Sequence, residues 1–242
     1  MTIIKLNAID STNSFLKDLV SKQIVDDYTV VVTKNQTHGR GQMGSVWNSE
    51  AGKNLMFSVF KDLSSYNVTY PFYISMAVSL AILDTLKALN IPGLSIKWPN
   101  DILSANQKIC GILIENVIKH RMNSTIIGVG LNVNQLNFAG LSKASSLKSI
   151  TGVHYNLDEI LNNIIENIKC YAKMLQDEEF DVVKNNYESY LFRKNKPSTF
   201  KNIEGELFSG FIKGVTKYGK ILVMLEDEVL KKFDLKEITL LY

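Results

Sequence analysis

Gly39-Arg40-Gly41-Gln42-Met43-Gly44 sets three glycines within six residues and holds a scarce arginine between two of them. Glycines at this spacing let backbone N–H groups approach an anion closely. A guanidinium between them offers five donors to a carboxylate or a phosphate. The plainer reading of this segment taken alone is a mobile surface loop. The pattern G-x-G-x-x-G invites three familiar assignments, and context excludes each. A dinucleotide fold needs a helix opening directly after the loop, whereas Ser45 to Asn54 contains Trp47-Asn48-Ser49 and Gly52. A protein kinase needs His-Arg-Asp and Asp-Phe-Gly downstream, and neither occurs. A P-loop needs Gly-Lys-Ser/Thr, where this chain has Gly44-Ser45-Val46.

Two further segments carry chemistry. Gly128-Val129-Gly130-Leu131-Asn132-Val133-Asn134 alternates small or amide residues with aliphatic ones. Period-two geometry sends the aliphatic set into a core and leaves a face floored by glycine, suited to a flat ligand lying against backbone. Lys108-Ile109-Cys110-Gly111-Ile112-Leu113-Ile114-Glu115 is a second apolar strand, with a lysine that either snorkels at its end or reaches over Gly111 toward an anion. Lys97-Trp98-Pro99-Asn100-Asp101 ends a third strand, and a carboxylate in that turn can orient a lysine or hold Mg²⁺. Asp10-Ser11-Thr12-Asn13 is either a helix cap for Phe15 to Val20 or a set of polar groups for a ligand.

The elements that must position these residues follow from periodicity. Strands are predicted at Tyr28–Thr33, Leu55–Phe60, Leu94–Trp98, Cys110–Glu115 and Thr125–Val133, with loop over residues 34–54. A buried helix is predicted over Tyr70–Leu89, stopped by Asn90-Ile91-Pro92-Gly93. A second runs from Leu157 to Leu175 with Asn156 as its cap, and a third carries Phe180, Val183, Tyr187 and Leu191 on one face. From Pro197 onward, short alternating segments separated by Gly205, Gly210, Gly214 and Gly219 predict a small antiparallel barrel. The expected division is a catalytic domain over residues 1–195 and a small domain over 196–242.

Composition narrows the class. The chain has 242 residues, 45% hydrophobic and 21% charged, which is globular. A net charge of +3 is too even to argue for nucleic acid. Cys110 and Cys170 exclude a disulfide scaffold, and the three histidines lack metal-ligand spacing. There is no apolar run long enough for a membrane span and no secretory leader, so the expected location is the cytoplasm.

Taken together and in order, Ser11-Thr12-Asn13, Gln36, Gly39-Arg40-Gly41 with Gly44, Trp47, Lys97-Trp98-Pro99-Asn100-Asp101, Lys108-x-x-Gly111 to Glu115, and Gly130-x-Asn132 resemble the biotin–protein ligases. The likeness spans residues 10 to 134. It implies an α+β fold, a mixed sheet with helices packed on it as in class II synthetases, and a small C-terminal Src-homology-3-like β-barrel. It implies ATP, Mg²⁺ and biotin, a biotinyl-5′-AMP intermediate, and transfer to a lysine of a biotin carboxyl carrier protein domain.

By that resemblance Arg40, Lys108 and Asp101 are catalytic, and Asp101 is the candidate Mg²⁺ ligand. Biotin would be held by Ser11, Thr12, Asn13, Gln36, Gly39, Arg40, Lys108, Gly111 and Gly130. The adenylate would be held by Arg40, Gly41, Gly44, Trp47, Asn100, Lys108 and Asn132. Prominent members carry a second arginine where this chain has Gln42, which bears on adenylate retention. The usual Gly-Glu near the chain end reads Lys236-Glu237. The Ser-Thr-Asn motif begins at residue 11, so no DNA-binding domain and no nucleic-acid partner are expected. No membrane partner is expected either, and a free sheet edge would suit a homodimer. The rival readings are a lipoate–protein ligase or acyltransferase on the same fold, and a non-catalytic biotin-binding protein.

Overall fold

A computed structural model describes residues 1–118, 122–138 and 140–242. The chain opens with β1 (Ile3–Ile9), α1 (Thr12–Lys22) and β2 (Val30–Gln36). After the glycine loop come β3 (Leu55–Asp62), α2 (Phe72–Ala88), β4 (Leu94–Lys97), β5 (Asp101–Ser104), β6 (Gln107–Ile118) and β7 (Met122–Leu131). These seven strands form one mixed sheet in the order β1-β2-β3-β7-β6-β5-β4. β1 runs parallel to β2 and forms a free edge, and the remaining ladders are antiparallel.

The sheet is covered on both faces. Successive residues of a strand point to opposite sides, so Val30 joins the large core and Val31 a smaller one. The smaller core gathers Leu16 of α1 with Val31, Phe60 and Ile126. The larger lies beneath α2, α4 (Leu157–Gln176) and α5 (Phe180–Ser189). α2 is apolar on nearly every side because it is sandwiched between the sheet and α4. Both predicted caps form: Ser11 Oγ accepts the Ser14 N–H, and Asn156 Oδ1 accepts the N–H groups of Asp158 and Glu159. α5 ends at Ser189, so Leu191 leaves the helix and bridges to Ile96 instead.

Three elements were not read from the sequence: β1, β5 and the short helix α3 (Leu147–Thr151). β1 is an exposed edge strand whose pattern Lys5, Asn7, Ala8 lacks a clean alternation. β5 and α3 are four and five residues long, below the length at which a period shows.

The C-terminal segments form β8 (Pro197–Asn202), β9 (Leu207–Val215), β10 (Ile221–Leu225), β11 (Leu230–Phe233) and β12 (Ile238–Leu241). They make an antiparallel sheet in the order β11-β10-β9-β8-β12. No ladder joins β11 to β12 among the described residues, so the expected barrel is an open one. This sheet docks firmly on the first. Trp98 Nε1 donates to the Gly219 carbonyl at 2.8 Å in the β9–β10 turn, and Gly219 packs on Phe72 at the start of α2. No described helix is long and apolar enough to cross a membrane.

Glu188 at the end of α5 is the electrostatic pin of this seam. It accepts the Val215 N–H at 3.0 Å and faces Lys184 at 3.0 Å and Lys194 at 3.3 Å. Gly214 leaves the room it needs, since a Cβ there would lie 2.5 Å from Glu188 Oε1. Burial pushes its carboxyl up, but the Val215 N–H and the two lysines outweigh burial and hold it below the ordinary value of 4.5. A depressed carboxyl stabilises the fold above its unfolded pKa, and that stabilisation is lost as pH falls through the folded value. Glu188→Gln is therefore expected to cost about 1–3 kcal/mol at pH 7 and markedly less near pH 3, measured by urea unfolding at both pH values.

Candidate active site

The site grows from the register of two strands. Gly111 on β6 pairs with Gly130 on β7, and Leu113 pairs with Gly128. One face of this pair therefore lacks side chains at three neighbouring positions, and each gap is used. The Trp47 indole lies on Gly111 and Gly130, where added Cβ atoms would fall 2.9 and 2.4 Å from its ring. The Asn13 amide lies on Gly128, where a Cβ would fall 2.2 Å from Oδ1. The flat group resting on the glycine floor is thus the protein's own tryptophan.

Above this floor is a cavity of about 750 Å³. It is lined by Ser11, Thr12, Asn13 and Gln36 at one end and by Lys97, Asp101, Lys108 and Lys143 at the other. α1 presents its first residues to the cavity because Ser11 caps it there. Thr12 is further fixed by its N–H, which donates to Gln36 Oε1 at 2.9 Å. At the basic end Lys108 Nζ donates to Asp101 at 2.7 Å, and Lys97 stands 3.7 Å from the same carboxylate. The Lys108 ammonium also passes 3.4 Å from the place a Gly111 Cβ would take, as the functional reading of this strand required. Asp101 is the one side-chain carboxylate lining the cavity among the described residues. Three lysines against one carboxylate leave this end positive, which suits a polyanion.

The glycine loop crosses the cavity mouth through Gly41 to Asn48. Gly39 and Gly44 do not line the cavity. Gly39 packs against the Trp47 backbone, where a Cβ would lie 2.3 Å from the carbonyl oxygen, and Gly44 takes a positive φ of 82° in the turn. Both shape the loop. Arg40 lines the cavity, yet its guanidinium points to the flank. It donates to Ser14 Oγ at 3.2 Å and pairs with Glu115 at 3.2 Å. Asn100 and Asn132 line the cavity while their amides brace backbone: Asn100 Nδ2 donates to the Ile112 carbonyl and Asn132 Nδ2 to that of Ser145. The Ser145 bond holds the segment 140–146, from which Leu141, Lys143 and Ala144 line the cavity rim.

Several cavity residues carried no signal of their own in the sequence. Lys143 comes from that rim segment, and Tyr242 reaches in from the end of the second sheet. Their contact is direct: Lys143 Nζ lies 3.9 Å from the Tyr242 ring centre, and Lys97 Nζ lies 5.3 Å from it. Burial and the nearby Asp101 carboxylate raise the Tyr242 phenol above its ordinary value. Cys110 is fully buried behind the floor, and burial pushes its thiol far up, so it supplies no thiolate nucleophile. No cluster of three or more metal-ligating side chains occurs among the described residues.

A mixed sheet with a glycine floor, a basic flank and a covering loop forms one cavity with a polar end and a basic end, the layout of a domain that binds a small polar ligand beside a polyanion. The pattern of the biotin/lipoate A/B protein ligase family matches residues 6–132, and the chain belongs to that family. The bifunctional ligase/repressor BirA of Bacillus spizizenii is 29% identical over 239 residues, 95% of this chain and 71% of that protein. The biotin–acetyl-CoA-carboxylase ligase of Mycobacterium tuberculosis is 32% identical over 137 residues, 54% of this chain and 50% of that one. The biotin protein ligase of Aquifex aeolicus, solved with biotin and ATP, superposes with a TM-score of 0.82 at 25% identity, over 99% of this chain and 98% of that one.

Gly130→Ala tests the floor. The new Cβ forces the Trp47 indole off the strands, so its emission is expected to shift to the red and to become more open to acrylamide quenching. Trp47→Phe provides the blank, since Trp98 is then the sole emitter.

Proposed function

We propose that this protein activates biotin with MgATP to biotinyl-5′-AMP and transfers the biotinyl group to a lysine of a carboxylase carrier domain. The observation that carries this reading is Lys108, set by Asp101 at 2.7 Å and poised over the glycine floor between the polar and basic ends of one cavity. Ser11, Thr12 and Gln36 would hold the ureido ring, with Asn13 behind them. The carboxylate then points toward Lys108.

In the first step a biotin carboxylate oxygen forms a bond to the α-phosphorus, and the bond to the β-phosphate oxygen breaks. That electron pair leaves with pyrophosphate. Lys108 neutralises charge on the carboxylate and on the α-phosphate, and no covalent enzyme intermediate is needed. Lys97 and Lys143 face the remaining phosphates. Asp101 is the carboxylate that would meet a magnesium ion carried by the nucleotide, where the ion would shield the phosphate charge. In the second step the acceptor amine attacks the acyl carbon and AMP departs.

Trp47, Gly41 and Asn132 flank the nucleotide in this reading, with Asn100 bracing the strand end. Arg40 fixes the loop through Glu115 before ligand arrives. The division of labour we propose places biotin and ATP binding in residues 1–195 and gives 196–242 a supporting wall, through Leu235, Thr239 and Tyr242. The bacterial ligases that the chain is similar to support a place in the cytoplasm.

ATP–pyrophosphate exchange with biotin, with lipoate and with neither tests the reading. Exchange is expected with biotin alone. Exchange with lipoate alone would move the protein to the other branch of the family, and tight biotin binding without exchange would make it a binding protein. Lys108→Ala is expected to lower biotin-dependent exchange by about 100-fold or more. Unchanged turnover in that variant would remove Lys108 from the mechanism.

A further inference from the structure

Beneath the ligand-facing residues runs a row of polar side chains that the reaction leaves without a task. Ser58 on β3 is fully buried and does not line the cavity. Its Oγ lies 2.5 Å from Asn13 Oδ1 and 2.7 Å from Thr12 Oγ1. Asn13 Nδ2 lies 2.9 Å from Glu115 Oε2 and 3.3 Å from the Leu113 carbonyl oxygen. Glu115 is also outside the cavity lining, and Arg40 and Lys17 hold it from two sides.

The stock of donors fixes the direction of every bond in this row. The Glu115 carboxylate and the Leu113 carbonyl only accept, so Asn13 must turn its NH₂ toward them and its carbonyl toward Ser58. That carbonyl only accepts, so the single hydroxyl proton of Ser58 goes to Asn13. The 2.7 Å approach of the Ser58 and Thr12 oxygens then requires the Thr12 proton between them. The other acceptor in reach, Gln36 Oε1, is farther at 3.2 Å and already takes the Thr12 N–H. Sending the proton there would leave two oxygens 2.7 Å apart with no proton between them. What Thr12 Oγ1 shows the cavity is therefore lone pairs alone.

We propose that the relay Glu115–Asn13–Ser58–Thr12 makes Thr12 an obligate acceptor and thereby selects ligands that present an N–H at that point. Ser58 and Glu115 are positioning residues for specificity. This rests on reading the cavity as a biotin site. The ureido ring of biotin carries two N–H groups, whereas the dithiolane ring of lipoate carries none. Gly128 is what admits the relay, because any side chain there would displace the Asn13 amide.

Calorimetric binding tests the relay, using biotin and the two analogues in which one or the other ureido N–H is replaced by oxygen. The wild-type protein is expected to prefer biotin to at least one analogue by about 10³-fold or more, because a site built to receive an N–H rejects a ligand lacking it. In Ser58→Ala the Thr12 proton is released from Ser58 and divides between the longer contact to Gln36 Oε1 and the ligand, and the preference is expected to fall by about tenfold or more, mainly through better binding of the analogue relative to biotin. Ser58→Cys keeps the volume and a weak donor, and is expected to fall between the two. A purely structural role for Ser58 would weaken all three ligands alike. An unchanged preference in both variants, with biotin still bound, overturns the relay and leaves the biotin reading standing. Failure of the wild-type protein to bind biotin overturns that reading instead.

Discussion

The absence of three side chains on one face of two paired strands governs the rest of this structure. Gly128 and Gly130 share a face by strand period, and Gly111 joins them because β6 and β7 are held in one register. A slip of one residue would turn aliphatic side chains into the cavity and the glycines into the core. The neighbouring Ile112, Val129 and Leu131 are buried on the opposite side and make such a slip costly. The large core thus sets the floor, and the floor sets where the Trp47 indole and the Asn13 amide rest.

Charge is distributed on the same economy. One carboxylate serves each cationic group of the site. Asp101 is shared by Lys97 and Lys108, and Glu115 by Arg40 and Lys17. Neither pairing is deeply buried, so each keeps its cation in place without the large desolvation penalty of a buried ion pair. The two carboxylates differ in what they face. Asp101 lines the cavity, and a polyphosphate must compete with it for its lysines. Glu115 stands outside the cavity lining, where a ligand does not compete for its partners directly, which suits a group that fixes geometry.

Much of this was legible in the sequence because it is local. Gly128 and Gly130 lie two apart within one strand, so period-two geometry alone puts them on one face. The Ser11 and Asn156 caps were legible because they too are local. Contacts that cross elements were not. Lys108 and Gly111 lie three apart, and share a face only through the register irregularity between β5 and β6, which no sequence period shows. Ser58 sits in an uninterrupted apolar strand and reads as core until its pairing with Gly128 is known. Glu115 belongs to a recognisable motif, but its partners come from a loop and a helix far away in sequence. Lys143 and Tyr242 meet only because the second sheet folds back to the rim. The spacing of the glycine loop does not show how its glycines divide: Gly39 and Gly44 lie in the bend of the loop and outside the cavity lining, whereas Gly41 lines it.

The indole lying on the glycine floor has a thermodynamic consequence. Trp47 Nε1–H is buried there with no partner among the described residues, so this resting arrangement forgoes a hydrogen bond. A ligand that is to lie on Gly111 and Gly130 meets a receptive floor only in the fraction of molecules whose indole has swung away. The apparent dissociation constant is then the intrinsic one divided by that fraction. Association is slowed in the same proportion wherever opening precedes binding. The resting indole thus competes with any ligand that is to lie on those two glycines, and a substitution at residue 47 would act on ligand capture through this competition as well as through the nucleotide that Trp47 is proposed to flank.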